Sequence, residues 1–159
     1  MRIYLSGAIE HAGDGGRSWR RRVAGRLSGR PGVEIYDPAA DEKKNLEEEE
    51  RREFRRWKLE NPERFRDTVR KIVAWDLDRV EHRTDALIAY WDAAAAQGGG
   101  TAAEITLAYR LGKPVYLVLG MPRAEASGWV LACAERVFES LEELEGFLTE
   151  DLGLRTEDS

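Results

Sequence analysis

The chain has 159 residues, with 25 Lys and Arg against 30 Asp and Glu, and a net charge of −5 at pH 7. Hydrophobic residues at 42% supply a core and charged residues at 35% a surface, as expected of one globular domain that buries about 70% of its unfolded surface. The acidic balance offers no basic face to a DNA or RNA backbone, and a single cysteine, Cys133, excludes an internal disulfide.

Beside Cys133 stand only His11 and His82, so no zinc-ligand spacing exists and no metal or cofactor is expected. The apolar run Ile3–Leu5 soon meets Gly7, too short for a signal-peptide core or a membrane span. The expectation is a soluble protein of the reducing cytoplasm with no membrane partner.

Short β-rich runs alternate with stretches of helical period, the pattern of parallel strands joined by crossover helices. Arg2 to Ser6 reads as the first strand. The glycine-rich loop Gly13 to Gly16 follows, then a helix on which Trp19, Val23 and Leu27 recur every four residues until Gly29, Pro31 and Gly32. Val33 to Tyr36 reads as the second strand and stops at Asp37-Pro38.

From Asp41 to Lys71 most residues are charged, with spacings that permit i,i+4 pairs. This insertion reads as a solvated helical arm, or as a lid or subunit contact, because Phe54, Trp57 and Phe65 are too apolar to stay wet. Asn61-Pro62 separates two helices. The second, about Pro62 to His82, carries Val69, Ile72, Val73 and Val80 at helical spacing, and Asp76 falls within that stripe. A carboxylate there either caps a neighbouring loop's amides or has a chemical task.

Thr84 to Asp92 reads as a buried central strand entered and left through aspartates. The loop Ala93 to Gly100 opens a helix from Thr101 to Leu111, closed by Gly112-Lys113-Pro114. Val115 to Leu119 is the next strand. Ala126 to Ala134 reads as helical, Arg136 to Phe138 as a short strand, and Leu141 to Leu148 as an amphipathic helix, with residues 151–159 an acidic tail on a domain spanning 1–150.

In such sheets ligands bind beyond the carboxyl ends of the strands. Three loops there are polar: Ser6 to Gly16, Asp37 to Asp41, and Asp92 to Thr101. Within Gly100-Thr101-Ala102-Ala103-Glu104, one reading is a capping box in which Thr101 and Glu104 exchange hydrogen bonds. The other places Glu104 in the first helical turn as a carboxylate kept ionised by the helix dipole and nearby amides, facing a cleft as a nucleophile.

These segments together resemble the nucleoside 2-deoxyribosyltransferase family. The resemblance rests on Ile3-Tyr4-Leu5-Ser6-Gly7, Trp75-Asp76-Leu77, Thr84-Asp85, Gly100-Thr101-Ala102-Ala103-Glu104, Ala108-Tyr109 and Gly112-Lys113-Pro114. It covers nearly the whole chain except the charged arm. It implies a single flavodoxin-like or Rossmann-like α/β domain, with a mostly parallel sheet of about five strands and helices on both faces. The implied enzyme cleaves N-glycosidic bonds of nucleosides or their 5′-monophosphates, without metal or cofactor, as a homodimer or higher homo-oligomer.

By that likeness Glu104 is the nucleophile, Tyr4 orients it, and Asp76 handles the base. Asp92 contacts substrate, as does Asp85 by a weaker match, and Ser6, Gly7, Gly100 and Thr101 line the substrate pocket. The loop Glu10 to Ser18, with Gly13, Gly15, Gly16 and Arg17, resembles the phosphate-holding loop of related 5′-monophosphate N-glycosidases, though a flexible loop with a surface arginine also fits. Ser127 matches the serine those hydrolases donate across a dimer interface, and Trp129 is a candidate for that contact. Glu104 and Asp76 would divide the work as nucleophile and proton donor. A non-catalytic nucleotide-sensing module on the same fold is the alternative.

Overall fold

In the computed structural model, which describes residues 1–41 and 43–150, five short apolar runs lie side by side as one sheet. The strands are β1 (Arg2–Gly7), β2 (Glu34–Tyr36), β3 (Ala86–Trp91), β4 (Val115–Leu119) and β5 (Arg136–Phe138). Their order is β2-β1-β3-β4-β5 and every pair is parallel. Parallel neighbours need crossovers, and helices provide them. These are α1 (Arg17–Leu27), the pair α2 (Glu48–Glu60) and α3 (Pro62–His82), then α4 (Ala93–Gln97), α5 (Gly100–Arg110) and α6 (Gly128–Cys133), with α7 (Leu141–Glu150) closing the described chain. The α/β class and the parallel sheet of about five strands expected from the sequence are both present, and the order is the flavodoxin-like one. The acidic tail lies outside the described residues.

Alternation along the strands builds two cores. Tyr4, Leu87, Ala89, Trp91, Leu117 and Leu119 face one side, against Val80, Ile105, Ala108 and Val130. Ile3, Leu5, Ile88 and Val118 face the other, against Trp19, Val23, Leu27, Leu144 and Leu148. Because successive side chains point to opposite faces, Tyr4 and Ser6 share the face covered by α5. The strand order reverses between β1 and β3, so the loops at their carboxyl ends diverge and leave a crevice.

Several boundaries differ from the sequence reading. β1 runs on through Gly7, where an added Cβ would meet the Trp19 ring at 2.8 Å. The stretch read as a loop after β3 contains α4, whose first turn is held by Asp92 accepting from the Ala95 amide at 2.8 Å. On α3 only part of the apolar stripe is core: Val80 is buried and Val73 is half exposed. Leu111 also lies open to solvent.

The charged insertion is not a solvated arm. A capping box between Glu47 and Glu50 starts α2, and Asn61 with Pro62 starts α3, so the two helices fold back as a hairpin. Phe54 and Phe65 stack at 6.4 Å and Trp57 is buried. Outward charges pair off, as in Arg56 with Glu60 and Arg64 with Glu49, while the inner surface walls a cavity.

Candidate functional site

Glu104 sits one turn into α5, on the face that packs against β1, and is buried. Tyr4 donates its hydroxyl to Oε1 at 2.8 Å, and Ser6 donates to Oε2. Both donors come from one face of one strand, a hundred residues away in sequence. The capping box is thereby overturned: α5 begins at Gly100 behind Gly99, without a side-chain cap, and the Glu104 carboxylate is engaged by β1 instead.

The expectation that Glu104 lies in the first turn and is held ionised by the helix dipole is also corrected. It falls beyond the first turn, where that field has decayed. Burial pushes its carboxyl up to about 7, with the hydrogen bonds from Ser6 and Tyr4 opposing the rise and the neighbouring Asp76 charge adding to it. Tyr4, deeply buried beside that carboxylate, is raised far above its ordinary range and stays a proton donor.

Asp76, on α3, faces the same cavity. Lys44 reaches its Oδ2 at 3.0 Å, while Oδ1 is buried with no hydrogen-bond partner among the described residues. Burial raises the Asp76 carboxyl, and Lys44 opposes the rise without cancelling it. The proposal that Asp76 caps loop amides has no support here, since its bonded oxygen meets an ammonium group.

Sequence reading missed Lys44, which looked like one charge among many in the arm. It and Asn45 adopt left-handed backbone, φ 38° and 60°, a conformation rare without glycine, and the turn carries the Lys44 side chain inward until it is nearly buried. Beside it Asp41 accepts from Tyr36 Oη at 2.8 Å and Trp75 Nε1 at 3.0 Å. Despite burial, those bonds keep Asp41 below the usual carboxylate range. The Tyr36 ring in turn packs 5.2 Å from that of Tyr4.

Arg20 was also missed. It is completely buried and donates to the carbonyls of Gly7 and Gly16 at 2.8 Å, Ala8 at 3.2 Å and Leu5 at 3.3 Å, with Asp37 3.4 Å from Nε. One guanidinium thus gathers the loops after β1 and β2. Its signal was present, because Arg20 shares helical spacing with Val23 and Leu27, but it stood within the run Arg20-Arg21-Arg22. Gly16 makes the clamp possible: its φ is +72°, and an added Cβ would lie 2.1 Å from the Ala8 carbonyl oxygen.

The cavity has a volume of about 860 Å³, within the range of small-molecule sites. The loops after β1, β2 and β3 all reach it, as expected of the switch point. Gly7, Arg17, Gly100, Thr101, Asp76 and Glu104 line it. Tyr4 and Ser6 lie behind Glu104 as its hydrogen-bond partners, so Ser6 is reassigned from lining the pocket to holding the carboxylate.

Three residues do not converge there. Asp85 precedes β3 at the opposite end of the sheet, about 20 Å away along a six-residue strand, where it pairs with Arg2 at 2.9 Å. Asp92 caps α4 and faces a smaller recess beside Asp14, Ser18 and Tyr90. Ser127 caps α6 and is absent from the lining of its own chain's cleft. Trp129 is largely exposed, its Nε1 donating to Thr106 Oγ1 at 2.9 Å.

Among the described residues no helix is long and apolar enough to cross a membrane. No family model and no curated protein matches this chain.

Proposed function

We propose that the protein cleaves the N-glycosidic bond of nucleosides or their 5′-monophosphates through a glycosyl ester on Glu104, as in nucleoside 2-deoxyribosyltransferases. The observation that carries the reading is Glu104 itself. It is a buried carboxylate on a cavity wall, with both oxygens held by hydroxyl donors and, among the described residues, no cation bonded to it. A residue serving only stability would be paired or replaced by an apolar one, because an ionisable group there costs folding energy.

Departure of a base leaves positive charge on the sugar and negative charge on the base. Ionised Glu104 attacks C1′, and the C1′–N bond breaks with its electron pair on the base. Tyr4 and Ser6 keep the carboxylate in one orientation, so the attack needs no rearrangement. Asp76 takes part in its protonated form, which burial favours and the Lys44 pair opposes, and donates from Oδ1 the proton that the leaving base takes up. Water or a second base then attacks C1′ from the opposite face and expels the Glu104 carboxylate. Asp76 regains its proton from that nucleophile.

Incubation with a deoxynucleoside and a foreign base, repeated with the 5′-monophosphate, tests this reading by following released base and new nucleoside. Intact-protein mass spectrometry should detect a glycosyl adduct that Glu104→Gln abolishes. Full base release by Glu104→Ala would overturn the assignment, and tight nucleotide binding with no release over hours would favour a sensing module. Homo-oligomerisation belongs to the same proposal, with Ser127 and the exposed Trp129, neither of which lines its own cleft, as the residues offered to a second copy.

A further inference from the structure

Two walls of the cavity come from the charged insertion, and they differ in chemistry. From α3, Phe65, Val69, Ile72 and Asp76 face inward at helical spacing, an apolar strip ending in one carboxylate. From α2, Glu48, Arg51, Arg52 and Arg55 face inward at i, i+3, i+4 and i+7. Arg52 is neutralised by Glu53 at 3.2 Å. Arg51 and Arg55 have no ion pair among the described residues, and the Arg51 Nε is buried without a hydrogen-bond partner.

Across the cavity, Arg17 and Gly15 present the loop after β1, and Arg17 likewise has no carboxylate partner among the described residues. Three guanidinium groups thus border one space in a chain whose net charge is −5, while outward arginines such as Arg56 and Arg64 are paired with Glu60 and Glu49. Arg17 and Arg55 stand exposed at the rim and Arg51 is half-buried, so like charges face one space, a repulsion that an anionic ligand relieves. Of the carboxylates lining the cavity, Glu104, Asp76, Asp41 and Glu10 are already engaged by Tyr4 with Ser6, by Lys44, by Tyr36 with Trp75, and by Lys58, which leaves Glu48 beside the three arginines.

We infer that the inner face of α2, with Arg51 and Arg55 opposite Arg17, recognises a phosphoryl group, and that the substrate is a nucleoside 5′-phosphate. This rests on the glycosidic reading for the sugar and base, which lie along the apolar strip of α3 toward Glu104. The insertion is then a specificity element. Guanidinium groups suit the task because they present paired N–H donors to phosphate oxygens and stay charged at all working pH values.

The test uses the full chain carrying Glu104→Gln, so that binding is read without turnover. Calorimetry compares each deoxynucleoside with its 5′-monophosphate, alongside ribose 5-phosphate and inorganic phosphate. The monophosphate should bind at least ~10-fold more tightly than its nucleoside, the effect of one charge-assisted contact. Adding Arg55→Gln or Arg51→Gln should collapse that ratio toward one, and Arg55→Lys should restore part of it. Circular dichroism confirms folding, and the exposed Arg55 serves where Arg51 perturbs α2 packing. Equal affinities, a ratio untouched by both substitutions, or inorganic phosphate binding as tightly as ribose 5-phosphate would overturn the inference. A phosphate-dependent ratio without base release by the wild type would leave it standing and sink the glycosidic reading. Base release that is indifferent to phosphate would do the reverse.

Discussion

Lys44 Nζ lies 3.0 Å from Asp76 Oδ2, joining the root of the insertion to the middle of α3 inside the cleft. Both groups are nearly buried, so removing one partner strands the other. Lys44→Met should lower stability at neutral pH by about 3 kcal/mol, the usual cost of leaving a buried charge uncompensated. It should also move the Asp76 carboxyl further up. Urea denaturation at pH 7 and pH 4 checks this, because protonation of Asp76 at the lower pH should shrink the loss.

Glu104 makes stability depend on pH with a defined sign. A carboxyl raised above its ordinary value stabilises the fold fully below that value, and the contribution is lost as pH rises through about 7. The shift from 4.5 to about 7 corresponds to roughly 3 kcal/mol of stability lost between pH 4 and pH 9. Glu104→Gln should remove that component, narrowing the difference between the two pH values in thermal melts. As the nucleophile must be ionised, kcat/KM should climb through about pH 7 on its acid limb.

Tyr4 supplies a hydrogen bond that favours the charged form of Glu104. Tyr4→Phe keeps the ring and its packing but deletes the donor, so the Glu104 carboxyl should rise further and the acid limb move to higher pH. Rate at pH 7 should fall by ~10-fold or more, since a hydrogen bond to a charged group contributes about 1.5–3 kcal/mol. An unchanged rate with an unmoved limb would assign Tyr4 to packing alone.

Arg20 binds four carbonyls at once and cannot be replaced by another cation. Arg20→Lys retains charge without the fork, and Arg20→Met leaves buried acceptors unmet, so both should destabilise, the second by about 3–5 kcal/mol. Because the same guanidinium gathers the loops that border the cleft, KM should rise even where the Lys variant folds. Denaturation midpoints and substrate saturation curves measure the two effects separately.

The parallel sheet, its crossover helices and the loops around the cleft were legible in the sequence, because apolar period, glycine and proline act through local backbone physics. Asp76 stood out for the same reason, as one carboxylate within an apolar stripe. Tertiary structure alone decided whether Glu104 capped its own helix or met Tyr4 and Ser6, since either arrangement satisfies the spacing of Thr101 and Glu104 and only the packing of α5 on β1 selects between them. It also turned Lys44, Arg20 and the inner arginines of α2 from surface charges into cleft and core groups. A charged side chain carries no mark of its burial along the chain. What surrounds it is set by elements tens of residues away.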